Sequence, residues 1–135
     1  MSRAKTILMW LLALNLMFAG FMHLMQPAFF VGIIPPELPS PEWLNVISGL
    51  AEIVLGVYLL EPRTRVLAAW GIIALLIAVF PANLNVAIHN LGGPDFTPGA
   101  GNAVANWIRI PFQAVFIVWA WWYTRSAPDP ARAGD

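Results

Sequence analysis

Apolar residues run almost unbroken through four stretches of this chain, and the polar ones gather between them. The first stretch, Ile7 to about Met25, follows Arg3 and Lys5. About 20 residues at 1.5 Å rise cross a hydrocarbon core of roughly 30 Å, so each stretch reads as one membrane-spanning helix. The helices are expected at about 5–25, 41–60, 65–89 and 102–124. Pro27 ends the first, and the prolines between Ile33 and Pro41 cannot continue it, which predicts a connecting loop. Ser40 is the expected cap of the second helix, with Pro41 at its first position. Glu61 to Arg65 is a short turn, predicting antiparallel neighbours. Pro81 interrupts the third stretch late, and Asn90 to Gly99 is a loop rich in glycine and proline. The polar segment 126–135 is expected to be a disordered tail on a single domain covering 1–125. A signal peptide competes for the first stretch. Its apolar region would be about 7–15 residues and would end in small residues, which Phe21-Met22-His23-Leu24-Met25 does not offer, so the helix is read as retained.

Basic residues orient the spans. Arg3, Lys5, Arg63, Arg65, Arg125 and Arg132 lie at the amino terminus, the short turn and the carboxyl tail, while the other two loops contain no Lys or Arg. The reading is an all-α, up-down-up-down bundle of four transmembrane helices with both termini cytoplasmic. Composition sharpens this: 59% of the 135 residues are hydrophobic and 10% charged, with a mean hydropathy of +0.71. Soluble domains carry about 25% charged residues. The net charge of zero gives no sign of a nucleic-acid partner, and the absence of cysteine removes disulfides, thiolate metal sites and iron–sulfur clusters within the chain.

Against this background Glu52 stands out, in Ser48-Gly49-Leu50-Ala51-Glu52-Ile53-Val54-Leu55-Gly56, as a carboxylate inside an apolar run. A charge at membrane depth costs about 2.5–3.5 kcal/mol on insertion scales, which makes it a candidate functional group in need of a partner. Counting 1.5 Å per residue from the cytoplasmic end puts Glu52 at about 12 Å, Gln113 at about 15 Å, Arg109 at about 21 Å, and His23 and Asn83 at about 27 Å. Asn45, Ser48, Gly49, Glu52 and Gly56 share one helical face, as do Asn106, Arg109, Gln113 and Ala120, and on the first helix Asn15, Ala19, His23 and Gln26. The expectation is a polar pocket open towards the extracytoplasmic side. Glu52 and Arg109 form its proton-active pair, and His23, Ser48, Asn83 and Gln113 bind the ligand. A purely structural Glu52–Arg109 ion pair is the competing reading. Haem held by His23 and His89, and a metal on Glu52 with histidine, are further alternatives, the latter short of ligands at fixed spacing. The tryptophans near the end of the fourth helix read as an interfacial belt.

These residues also carry a resemblance. Gly20-Phe21-Met22-His23, Ile34-Pro35-Pro36-Glu37-Leu38-Pro39, the Glu52 segment, Phe80-Pro81-Ala82-Asn83 and Trp107-Ile108-Arg109-Ile110-Pro111-Phe112-Gln113 stand in an order and spacing similar to the DoxX family of small four-helix membrane proteins. The resemblance covers nearly the whole chain. It implies a multi-pass protein of the prokaryotic cytoplasmic membrane. It further implies a small-molecule or quinone-binding subunit of a membrane redox system, working with a redox protein partner and open to homo-oligomerisation. Direct thiol exchange, used by some relatives of that group, has no cysteine to act through here. Two other readings stand beside it: a non-catalytic membrane scaffold for a partner protein, and a membrane enzyme acting on a hydrophobic substrate by acid/base chemistry.

Overall fold

A computed structural model describes residues 1–92 and 97–125. The expected disordered tail, 126–135, lies outside these residues. Helices account for nearly all of the rest: α1 (Arg3–Met25), α2 (Pro27–Ile33), α3 (Pro41–Leu60), α4 (Arg65–His89) and α5 (Ala103–Tyr123). Of these, α1, α3, α4 and α5 are long and apolar enough to cross a membrane. With no water to satisfy backbone groups in a hydrocarbon layer, such sequences have little choice but to be helical.

The ends of the helices follow local chemistry. The Ser2 side chain accepts from the Lys5 backbone N–H and opens α1. Pro27 closes α1 and, because its fixed φ suits a first turn, also opens α2, in a segment that the sequence reading assigned to a loop. Ser40, expected as a side-chain cap, makes no cap bond; it takes a left-handed conformation (φ 48°) that turns the chain into Pro41 at the start of α3. The last carbonyls of α3 would otherwise lack donors. Arg65 supplies them, with Nε donating to Leu59 and Nη2 to Leu60, each at 3.0 Å, while Thr64 Oγ1 donates to Tyr58 at 2.8 Å. Asn90, at φ 45°, ends α4, and its side-chain amide donates to Gly101 and accepts from Asn106 Nδ2, both at 2.9 Å, tying the loop to α5.

Packing is most extensive between α1 and α3, followed by α4 with α5 and α3 with α4. Small residues bring α1 and α3 close. A Cβ at Gly20 would strike the Gly49 carbonyl oxygen, and one at Gly56 would lie 2.8 Å from Met17 Cγ and 2.9 Å from the Ala13 carbonyl. Without a hydrophobic drive between helices in lipid, such backbone proximity is what holds spans together. Rising positions on α1 meet falling positions on α3, so the two run antiparallel. The fully buried core, Leu12, Ala13, Leu59, Ala69, Ile72, Ala120 and Tyr123, gathers at the end of the bundle where Tyr123 Oη donates to the Lys5 carbonyl at 2.9 Å.

Gly20→Ala should therefore destabilise the detergent-solubilised protein by about 1–3 kcal/mol, since the clash is with backbone on a facing helix. Gly71→Ala, whose new methyl meets only the flexible Leu55 Cδ2 at 2.6 Å, should cost clearly less in the same thermal-unfolding measurement.

Candidate functional site

Between α3 and α4 lies a cavity of about 440 Å³, within the range of about 300–1,000 Å³ usual for ligand sites. Its walls are largely apolar: Leu44 and Ile47 of α3, Leu75, Leu76 and Val79 of α4, and Phe30 and Ile33 of α2. Polar groups join them, with His23 from α1, Asn45, Ser48 and Glu52 from α3, and Asn83 from α4 on the opposite wall. Ile47, 60% exposed, and the exposed Ala78 stand at the rim. Both lie within long apolar helices, while Leu38, also exposed and on the same lining, lies in the loop between α2 and α3, so the lining reaches the surface both laterally and at that end.

Each polar group reaches the cavity for a local reason. Gly49 lets α3 approach α1 until a Cβ on it would be 2.7 Å from His23 Cβ, which sets the imidazole over the next turn of α3. Asn45 then bridges the helices: its Nδ2 donates to the His23 carbonyl at 2.9 Å, and its Oδ1 lies 2.8 Å from His23 Nδ1. Phe30 stacks on the imidazole, with ring centroids 3.8 Å apart and planes 21° from parallel. Phe30 is brought there by α2, whose last carbonyl, at Ile33, accepts from Asn85 Nδ2 of α4 at 3.0 Å. On the remaining face of the ring system, His23 Nε2 lies 3.4 Å from Glu52 Oε2. This is ion-pair range, yet the oxygen is buried and receives no aligned hydrogen bond. Glu52 itself is 8% exposed.

The partner of Glu52 is thus His23, and the expected Glu52–Arg109 pair is not formed. Arg109 is absent from the cavity lining and makes no ion pair with Glu52. Two physical reasons account for this. α5 packs on α4, which stands between it and α3. A helical side chain also leans towards its own amino terminus, which on α5 carries Arg109 away from the depth of Glu52. His23, Ser48 and Asn83 do line the cavity, in company with Glu52. Gln113 does not. It sits behind the wall, accepting at 2.7 Å from Asn83 Nδ2 and donating to the Leu76 carbonyl, and so holds Asn83 in place. His89 lies at the exposed end of α4, with Nδ1 3.2 Å from the Asn85 carbonyl, and does not line the cavity with His23. Asn45 is the cavity residue that sequence reasoning left out of the candidate site. Its signal was present in its place on the Ser48–Glu52 face, but a neutral amide attracts less notice than a charge.

Gln113→Leu, which strands the Asn83 amide and takes a second donor from the Leu76 carbonyl, should lower stability by about 1–2 kcal/mol. Arg109→Gln should leave it within about 0.5 kcal/mol. Thermal or denaturant unfolding in detergent measures both; a large loss for Arg109→Gln would restore a structural role for that residue.

The model of a family described as a domain of unknown function (DUF8561) matches residues 12–124, and the chain belongs to that family. No curated protein and no solved structure matches it.

Proposed function

From a family membership that names no activity, we propose that this chain is a multi-pass membrane protein that binds an amphiphile of the quinone class in the cavity beside Glu52. In this reading the four spans run up-down-up-down with both termini on the cytoplasmic side of a prokaryotic membrane, as the placement of Arg3, Lys5, Arg63, Arg65 and Arg125 suggests. The protein acts as a DoxX-like ligand-binding subunit of a membrane redox system, with electrons exchanged through a partner protein. One observation carries the ligand reading: a largely apolar cavity of about 440 Å³ carries the carboxyl-bearing Glu52 on its lining beside His23, Ser48 and Asn83. An ionisable side chain within an apolar span, set on the wall of a cavity, is expected to meet a partner there. The apolar walls suit a ring and chain; His23, Ser48, Glu52 and Asn83 suit the oxygens of a head group.

A second reading also has an observation behind it. Asn45 ties α1 to α3 through two contacts with His23, so the same cluster fastens the helices. In that case Glu52 serves folding alone, and the protein is a scaffold.

Extraction of the purified protein with organic solvent, followed by mass spectrometry, separates the two. Wild-type protein should carry a quinone-class amphiphile. Glu52→Gln should carry about tenfold less at unchanged stability, the equivalent of losing one charge-assisted hydrogen bond of about 1.4 kcal/mol. Wild-type protein free of any amphiphile, or a Glu52→Gln variant that loses stability while keeping its ligand, would favour the scaffold.

A further inference from the structure

One face of α1 is left uncovered by the bundle. The helix packs on α3, with α2 beside its end, and turns Met9, Leu12, Ala13, Leu16 and Gly20 inward. On the side away from these, Leu11, Asn15, Phe18, Met22 and Met25 follow one another at spacings of four, three, four and three residues. This is a seven-residue repeat, all of it within about 100° of one helical face, and it is the pattern by which one helix seats along the length of another. Leu11, Phe18 and Met25 are 51%, 66% and 61% exposed. Asn15 is exposed as well, and its side chain has no hydrogen-bond partner among the described residues. It lies about 18 Å along α1, at the midpoint of the 23-residue helix. In the membrane setting proposed above, an amide at that depth has no water to pair with and gains by meeting another polar group. Beside it a groove of about 360 Å³ lies between α1 and α2, lined by Asn15, Phe18, Ala19 and Met22 and by Phe30, the ring that stacks on His23.

Resting on the membrane placement, and not on the ligand, we propose that a second copy of this chain covers this face, in a parallel two-fold pair of α1 helices with Asn15 opposite the partner's Asn15. Three features point to a copy of the chain in place of a different helix. An amide is both donor and acceptor, so the same residue on a two-fold mate completes it. Two copies inserted alike in one membrane have α1 running in the same direction, and in a parallel pair equal positions of the repeat meet at equal depth. The row also carries no charge, so nothing along it repels its own image. Leu11 and Phe18 pack a turn to either side of the amide, and a single asparagine in such a seam fixes both the register and the number of strands. The second copy closes the groove behind Phe30 and so backs the ring that stacks on His23.

The chain has no cysteine, so single introduced cysteines report pairing without background. In full-length protein reconstituted into lipid vesicles, Leu11→Cys and, separately, Met25→Cys are expected to cross-link to dimers under mild oxidation, because each stays beside its own image only in a parallel, in-register pair. Val115→Cys on α5, 58% exposed, should remain monomeric at the same protein-to-lipid ratio. Both cross-linking variants keep Asn15, so they test the pairing whatever a change at Asn15 does to folding. Energy transfer between donor- and acceptor-labelled Arg63→Cys protein, diluted with lipid, then reads the equilibrium and the number of copies. Asn15→Leu should raise the dissociation constant about five- to thirtyfold, while Asn15→Gln, still an amide, should keep most of the association. Energy transfer at chance level at every dilution, an Asn15→Leu constant equal to the wild-type one, or cross-linking at Val115 in place of Leu11 and Met25 would each overturn the pairing; the first leaves the face to lipid or to a different protein. None of these outcomes touches amphiphile binding. Protein that alkaline carbonate strips from the vesicles overturns the membrane placement and the pairing with it.

Discussion

The approach of α1 to α3 across Gly20, Gly49 and Gly56 is the constraint on which the rest of the structure depends. It is a backbone contact, so no side-chain adjustment replaces it. With the two helices this close, the carbonyl and ring of His23 come within reach of a single amide on the facing helix, and the ring edge comes within reach of Glu52 two turns further along. A wider spacing would leave Glu52 facing an apolar gap. α4 then completes the site from the other side, touching α3 tightly at Leu55 and Gly71 and leaving room beyond that point for the cavity.

The spans were legible in the sequence because the physics that makes them is one-dimensional: a run of apolar residues long enough for a membrane must be helical. α2 was not legible for the opposite reason. Seven residues between two prolines show no periodicity, and Pro27 reads as a stop unless the chain is known to start again from it. Glu52 announced itself as a lone carboxylate, and His23, Ser48 and Asn83 were picked out by depth and face. The wrong partner came from the same method. Counting residues gives height in the membrane but says nothing about which helix stands next to which, and opposite charge made Arg109 the natural choice at about the right height. Neighbour order is set by side-chain volume and glycine contacts across four helices at once, which a single helix pattern does not encode.

The far wall shows how a polar group is kept useful in an apolar setting. Asn83 reaches the cavity from α4 two residues after Pro81, in a stretch where the helix lacks the N–H that would serve the Ile77 carbonyl. Gln113 answers from α5, engaging Asn83 with one end of its amide and the neighbouring Leu76 carbonyl with the other. α5 thus contributes to the site without touching the cavity, and its contribution is the orientation of a side chain on another helix.

The bond between Asn85 and the end of α2 has a kinetic meaning. One residue, Gln26, joins α2 to α1, and the Ile33 carbonyl is fastened to α4, so the helix that roofs the cavity is pinned at both ends. Exchange past α2 would require breaking one of these anchors, whereas at Ile47 and Ala78 the lining reaches the surface without one. In the proposed membrane setting, an occupant arriving that way would come from a two-dimensional solution. Its occupancy would then follow its mole fraction among the surrounding lipids, not its vanishing concentration in water, and a modest intrinsic affinity would be enough to keep the site filled.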